Sequence, residues 1–594
     1  MREHFPYSFQ GAQHFYDHDV WTKRCEPIFL PADSGKIGCM TRSQRHWMYC
    51  FALLALLSMA PGPIARAQEG RFSPSDQIAA SEVLQQGMQL EQDRRWSEAI
   101  HLYEKASKKF PQDSDLRRRL LISRIHFDVT RRYRDVTYRE SVEHLSQTQA
   151  ADLYLEILAK LEANYVDPLN LNEVLRNGTA FLEVALTEPV FLAEHLPNAS
   201  PEQVEQFRLA IHRDVLGREV ANRFEARQLV LHVAKKAEET IGLKSTATIY
   251  EYVCGAVGLL DPYSGFLTEG ELLEMTSQIE GNFVGLGVEL RPQGQRLNVV
   301  SVIRGGPAAS AGIQADDEIL EVDGITTAAT SADHVADLLR GPEGSTVSLK
   351  LMRGETAIPM NVVRKRVDVP SVEAIHLIDA QQGVGYFRIT NFQKTTDEEI
   401  DRALWDLQKQ GMRRLIIDLR GNPGGLLETS VRVADKFIPE GLIVSTRGRN
   451  GIENKNFTAH RAGTWQMPLY VLIDGDSASA SEIFAGAIRD HRRGLLIGTT
   501  TYGKGSVQGL YNTDVVRSGL RLTVSKFYSP KGTPIAQLGV GPDIKVDSDR
   551  YIMARPIIDE TGREIINPTT APSDKILQTA LEQARAGQLP AGHR

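Results

Sequence analysis

Residues 477–508 read S-A-S-A-S-E-I-F-A-G-A-I-R-D-H-R-R-G-L-L-I-G-T-T-T-Y-G-K-G-S-V-Q, and the rest of the chain is organised around them. The run Leu469-Tyr470-Val471-Leu472-Ile473 before them is apolar and β-prone, and Asp474-Gly475-Asp476 turns the chain. Small residues then lead into an amphipathic helix predicted over about 482–490. A second apolar run, Leu495-Leu496-Ile497, predicts the next strand, and Tyr502-Gly503-Lys504-Gly505 sets a lysine between glycines. Strand, serine-bearing turn, helix, strand, glycine-flanked lysine: this layout can bring a hydroxyl and an amine together.

The chemistry needs that meeting. A serine hydroxyl is a poor nucleophile until a neighbouring base takes its proton. Lysine serves once burial disfavours its charged form. Ala478, Ala480, Gly503 and Gly505 let backbone and substrate approach closely, and Gln508 could orient the amine. Taken alone, the Ser-Ala repeat equally suits a tight strand-to-helix packing site. Gly498-Thr-Thr-Thr-Tyr-Gly503-Lys504 also matches the start of a phosphate-binding loop. There Gly505 replaces the magnesium-binding Ser/Thr, and Ser506-Val507-Gln508 reads as strand where that motif needs a helix start. A nucleotide site is rejected. No G-x-S-x-G elbow surrounds Ser477, Ser479 or Ser481.

This segment resembles the carboxyl-terminal processing peptidases, or tail-specific serine proteases. That family carries S-A-S-A-S-E, a glycine-lysine-glycine turn and a glutamine one helical turn later in spacing. The resemblance implies Ser479 as nucleophile, Lys504 as general base and Gln508 as the residue orienting the lysine. Choosing Ser479 over Ser477 and Ser481 rests on the family pattern alone.

The resemblance extends along the chain. Gly285-Leu286-Gly287-Val288 resembles the carboxylate-binding loop of PDZ domains, and Gly306-Pro307-Ala308 and Asp317-Glu318-Ile319-Leu320 follow in order. Glycines let successive N–H groups point at one anion, and an extended peptide can add to a sheet edge. Downstream, Leu415-Ile416-Ile417-Asp418 reads as a buried strand ending in Leu419-Arg420-Gly421-Asn422-Pro423-Gly424-Gly425. A glycine-rich backbone past a buried strand can supply oxyanion donors; the resemblance points to Gly424 or Gly425, plus the N–H of Ala480. Tyr528-Ser529-Pro530-Lys531-Gly532 and Gly539-Val540-Gly541-Pro542-Asp543 match the family's closing blocks. The likeness covers about 152–546 with an interruption near 180–244, which reads as an insertion.

Composition fits a soluble globular protein. The 594 residues are 42% hydrophobic and 24% charged with a formal charge of −7, which gives no case for a nucleic-acid surface. Arg42 and Arg45 precede an uncharged run from Trp47 to Ala60, and Ala65-Arg66-Ala67 offers a small-residue cleavage site, the pattern of a secretory signal. Residues before Met40 add nothing to that signal, which makes Met40 the expected start. Cleavage near Ala67 would remove Cys25, Cys39 and Cys50, leaving Cys254 with no partner for an intramolecular disulfide. Export to the periplasm or cell envelope is expected.

The helical pattern of 75–133 carries Gly87, Trp96, Ala99, Tyr103, Ala106 and Pro111, which resemble one tetratricopeptide unit with a turn at Asp93-Arg94-Arg95. One unit cannot bury its own face, so a helical layer packed on its neighbours is expected, with protein-partner binding a secondary reading. Arg117-Arg118-Arg119 reads as a solvated face.

The expected fold class is therefore α/β: a mixed-sheet peptidase core with an inserted PDZ domain and an N-terminal helical region. The expected divisions are a leader with signal peptide (1–67), a tetratricopeptide-like segment (68–135), a helical N-terminal region (136–280), a PDZ domain (281–367), a serine peptidase core (368–550) and a C-terminal tail (551–594). The expected activity is a serine endopeptidase acting on protein or peptide substrates with free C-termini, with no metal and no cofactor. The alternative is a non-catalytic PDZ and helical-repeat scaffold on a peptidase fold, which intact Ser479, Lys504 and Gln508 oppose.

Overall fold

A computed structural model describes residues 74–293, 296–327, 332–460, 464–546, 557–558, 564–565 and 574–587. The signal segment with Arg42, Arg45 and Ala67 lies outside them, as do Cys25, Cys39 and Cys50.

The central sheet has six strands in the order Val372–Asp379, Val384–Ile389, Arg414–Asp418, Leu469–Ile473, Leu495–Gly498, Ile544–Lys545. The first pair is antiparallel and every later neighbour is parallel, so the sheet is mixed. The strands follow one another across the sheet in chain order. With right-handed crossovers, that order places successive connecting helices on one face. Helices Thr396–Lys409, Leu427–Asp435 and Ala480–Asp490 do share one face, packing on Leu415, Ile417, Leu469, Val471 and Ile473.

The alternate side chains Tyr386, Ile416, Tyr470, Leu472 and Ile497 face the other way. They are covered by Ile576, Leu577, Ala580, Leu581 and Ala584 of the helix Lys575–Ala586. A strand apolar at every position needs cover on both faces, and the segment expected as a C-terminal tail supplies it. That helix is also fastened beneath the glycine-rich loop. Asp574, its N-cap, accepts two hydrogen bonds from Arg420 (2.8 and 2.9 Å), and Arg420 also pairs with Asp418 (2.6 Å).

The PDZ sheet runs Val288–Gln293, Arg296–Val302, Glu318–Val322, Thr346–Arg353, Thr356–Val363 around its own core of Leu286, Val299, Ile319, Val335 and Leu349. The chain enters it through Asn282–Gly285 and leaves through Lys365–Asp368, two strands paired antiparallel. Both ends thus pass through one ribbon.

In the helical region, helix Gln147–Asn164 opens on a Ser146/Gln149 capping box and ends before Pro168, as its pattern predicts. The segment 180–244 is not an appendage. Phe191, Phe207, Ile211, Leu229 and Val233 share one core with Tyr154, Leu158 and Tyr250. At the front, helices Pro74–Gln92 and Trp96–Lys109 cross at Gly87, where a Cβ would lie 2.2 Å from the Tyr103 ring. Their third partner is helix Ser114–Arg132, whose Leu116 and Leu120 close the front cluster while Ile125 and Val129 join the larger core. The expected solvated face at 117–119 is corrected on this point. Arg119 lies across the helix seam, pairing at 2.8 Å with buried Glu91.

The covering role of the last helix is testable. Leu577→Ala should cost about 2–5 kcal/mol, read as a lower urea midpoint. An unchanged midpoint would mean that the helix does not seal the sheet.

Candidate active site

Three loops leave the carboxyl ends of three adjacent parallel strands: 419–426 after Asp418, 474–479 after Ile473 and 499–505 after Gly498. In open parallel sheets this is where sites form. Gly424, Ser479 and Lys504 each lie on one of the three.

The serine turn is wound around Asp474. Its Oδ1 accepts N–H bonds from Asp476, Ser477 and Gly421, each 3.0 Å. Geometry separates the three serines. Ser477 Oγ donates to the Leu419 carbonyl (2.8 Å) and Ser481 Oγ to the Asn422 carbonyl (3.1 Å), and both side chains are fully buried. Ser479 is half-buried at the N-cap of helix Ala480–Asp490, with φ 54° and ψ −113°. Positive φ at a non-glycine residue is strained, and such strain concentrates at functional sites. The backbone here makes the sharp strand-to-helix turn of a nucleophile elbow without the glycine signature of one.

Glu482, one turn into that helix, was not singled out by the sequence reading. Its carboxylate is fully buried. Oε2 accepts the N–H of Ser479 (2.7 Å) and of Lys504 (2.8 Å), while Oε1 accepts the N–H of Gly503 (2.5 Å) and the hydroxyl of Thr501 (2.6 Å). One oxygen shared by two amides keeps the serine and lysine backbones within the span of two hydrogen bonds. Burial holds this carboxyl above its usual range, against the pull of four donors. The S-x-x-E spacing of Ser479 and Glu482 is a capping signature, which could have found it. Nothing in sequence spacing announces the reach to 501–504.

Lys504 is buried, and its ammonium lies 4.8 Å from the centre of the Tyr263 ring. Burial, aided by the positive charge of Arg521, pushes its amine down to about 7, against the opposing pull of Glu482 and Asp261. Gln508 stands in strand Ser506–Asn512, where its Nε2 donates to Ser506 Oγ (2.9 Å) and Thr523 Oγ1 (3.4 Å).

The glycine loop presses on the serine turn. A Cβ on Gly424 would lie 2.7 Å from Ser479 Cβ and 2.9 Å from the Ala480 nitrogen. The Gly424 N–H donates to Asn422 Oδ1 (2.8 Å), and its carbonyl accepts from Phe392 N–H (2.7 Å). Gly425, at φ 134°, lies against the Phe392 carbonyl, which a Cβ would meet at 2.2 Å. Asn422, also missed, knits the two loops, because its carbonyl accepts from Ala478 N–H (3.0 Å).

The loop Gly285-Leu286-Gly287-Val288 is far from this chemistry in sequence. The carbonyls of Leu286 and Gly287 turn inward to the N–H groups of Ala308 and Ile303 (2.9 Å each), and Gly287 has φ 77°. Val288 opens strand Val288–Gln293, which stands at the edge of the PDZ sheet.

Comparison with known proteins gives the family of the chain. A sequence profile of Peptidase family S41 matches residues 383–546, and one of the PDZ domain matches 299–353. A carboxy-terminal-processing protease of Bartonella bacilliformis is 38% identical over 293 residues, 48% of this chain and 67% of that protein. A carboxyl-terminal-processing protease of Synechocystis sp. is 35% identical over 319 residues, 53% of this chain and 71% of that one. The chain belongs to the carboxyl-terminal-processing proteases. It is a serine-type protease with a PDZ domain. A solved photosystem II D1 C-terminal processing protease overlaps 67% of this protease at 25% identity and a TM-score of 0.36.

Two outcomes follow for the protease. Glu482→Gln puts an NH2 group where two N–H donors or an N–H and a hydroxyl converge. It should lower stability by about 1–3 kcal/mol and cut kcat far more than it changes KM. Wild-type kcat in this variant would refute the positioning role. Lys504→Met should raise stability. The unfolded lysine binds a proton below 10.5 and the folded one only below about 7, so the wild type gains stability as pH rises through that window. The thermal midpoint of Lys504→Met should therefore exceed the wild type most at pH 6–7 and converge with it toward pH 10. A difference independent of pH would contradict the buried, depressed amine.

Proposed function

We propose that the chain is an exported endopeptidase that grips the C-terminal tail of a protein substrate in its PDZ domain and cleaves peptide bonds with a Ser479–Lys504 dyad. The observation that carries this reading is the shared Glu482 oxygen, which accepts the backbone amides of a strained, half-buried serine and of a buried lysine. Neutral Lys504 takes the Ser479 proton as Oγ attacks the carbonyl carbon of the scissile bond. The charge developing on the carbonyl oxygen meets the N–H of Ala480 at the helix N-terminus and that of Gly425. Gly424 is the lesser donor because Asn422 already holds its N–H. The C–N bond breaks, the Lys504 ammonium returns its proton to the leaving amine, and an acyl-serine remains. Water then attacks the acyl carbon, giving a proton to Lys504, which passes it back to Oγ as the product acid leaves. Gln508, its Nε2 anchored on Ser506 and Thr523, keeps Oε1 as the acceptor suited to the lysine amine.

The tail would add to the edge strand Val288–Gln293, with its carboxylate on the 285–288 loop. Strand addition makes few demands on sequence, so selectivity falls to apolar terminal side chains. The proposed domain divisions are those expected from sequence, except that helix Lys575–Ala586 within the expected tail covers the sheet. Cleavage of the signal near Ala67 would deliver the enzyme to the periplasm or cell envelope. The scaffold alternative is disfavoured by Lys504, because burying an amine destabilises a fold that has no use for it.

Purified mature protein should cleave an unfolded substrate, and Ser479→Ala or Lys504→Ala should each reduce kcat/KM by about 10³-fold or more with the fold intact. The double variant should lose little further, since the pair acts as a unit. Full activity in Ser479→Ala would end this reading. For wild type, kcat/KM should rise with pH along one ionisation near 7, where the buried amine loses its proton; Lys504→Arg should be inactive at every pH. A second measurement compares a good substrate with its C-terminally amidated form at sub-saturating concentration. Amidation should slow cleavage about 10-fold or more by weakening productive binding, roughly one charge-assisted contact. Equal rates would remove the tail-gripping role while leaving the dyad.

A further inference from the structure

The turn Asp261-Pro262-Tyr263-Ser264 belongs to the helical region, and no step proposed above uses it. It is built on Asp261, whose Oδ1 accepts the N–H of Tyr263 (2.7 Å) and of Ser264 (2.9 Å) and whose Oδ2 accepts Ser264 Oγ (2.6 Å). It is fastened to strand Gly519–Tyr528 at three points. Thr523 Oγ1 donates to Asp261 (3.0 Å), Thr523 N–H to Ser264 Oγ (3.1 Å), and Arg521 Nε to the Tyr263 carbonyl (2.6 Å). From behind, Tyr165 donates its hydroxyl to the Leu260 carbonyl (3.0 Å). The Thr523 hydroxyl that holds Asp261 also accepts from Gln508. So braced, the turn sets the Tyr263 ring over the Lys504 ammonium at 4.8 Å.

We infer that Tyr263 is a positioning residue for the base: its ring is the water-excluding wall over the Lys504 amine, so that the helical region completes the catalytic pocket of the peptidase core. This inference rests on Lys504 being the base. An aromatic face acts on an amine in two opposing ways. Its quadrupole favours the ammonium, and its exclusion of water disfavours it. At Lys504 burial is the larger influence. The charged groups around the amine are Arg521 on the strand, Glu482 on the helix after Ser479 and Asp261 in the turn, with Arg131 and Glu271 facing Arg521 from the helical region. None of these charges is removed when Tyr263 is truncated. What changes is access of water, so the amine becomes easier to protonate and fewer molecules hold the neutral base at neutral pH.

The test is the pH dependence of kcat/KM in the full chain, measured with a short chromogenic peptide that bypasses the PDZ domain. In Tyr263→Ala the ionisation should move upward by about one pH unit or more. Activity at pH 7 should fall about 5-fold or more and largely recover at pH 9–10. Tyr263→Phe keeps the ring and should restore the wild-type profile. Should the alanine variant fail to fold, Tyr263→Gln fills similar space with a hydrated group and should shift the profile in the same direction. A profile scaled down by one factor at every pH, with its midpoint in place, would overturn the inference and leave Lys504 as the base. The base assignment itself would fall to a different result, a wild-type profile without an ionisation near 7 or undiminished cleavage by Lys504→Ala.

Discussion

A single carboxylate oxygen, Oε2 of Glu482, accepts hydrogen bonds from the amides of both Ser479 and Lys504. The two residues come from different strand-end loops, and that shared acceptor, with the Tyr502 N–H donated to the Ser477 carbonyl (3.0 Å), fixes their separation. The other oxygen does the same for Gly503 and Thr501. A buried carboxylate is costly unless all its lone pairs are met, and here four donors meet them. The requirement also runs the other way. The 499–505 loop forms no regular structure of its own, so its N–H groups need acceptors inside the protein; Glu482 accepts those of Gly503 and Lys504, and the carbonyls of Ile473, Val540 and Ser477 accept those of Thr499, Thr501 and Tyr502.

Two unfavourable features are maintained at this point, a serine at positive φ and an amine out of water. The first costs on the order of 1–3 kcal/mol and the second about 5 kcal/mol at low pH, each a large share of the net stability of an ordinary domain. The surrounding structure offsets them by being rigid on every side. The sheet beneath is apolar on both faces, sealed by three helices on one and by Lys575–Ala586 on the other. The glycine loop is held from below by Arg420 between Asp418 and Asp574. The helical region closes the remaining side through the Asp261 turn. Segments that look independent along the chain thus converge on one lysine.

Much of this was legible in the sequence. The continuous apolar runs at 415–417 and 469–473 announced two-face burial, and the ordered glycine blocks announced the PDZ domain. The serine-lysine block carried the resemblance to the protease family to which the chain belongs. What was not legible shares a physical cause: it depends on long-range packing that leaves no local period. The helix at 575–586 shows an amphipathic pattern but not the sheet it covers. Segment 180–244 reads as an insertion because the family's flanking blocks lie closer together, and that spacing does not say what its helices pack against. Arg119 reads as solvated because its partner, Glu91, lies on another helix. Glu482 carried a capping signature, yet its link to Lys504 appears only when two strand ends lie side by side. The choice among Ser477, Ser479 and Ser481 rested on family pattern alone. The hydrogen bonds of Ser477 and Ser481 to backbone carbonyls give it a physical side.

Burial pushes the Lys504 amine down to about 7, which leaves it largely neutral near physiological pH, and titrating that amine is the test. In Ser479→Ala enzyme labelled with 13C at lysine Cε, with Lys504→Met to assign the signal, the Lys504 resonance should titrate with a midpoint near 7. The surface lysines should titrate near 10.4. A Lys504 signal that titrates with the surface lysines would contradict the account.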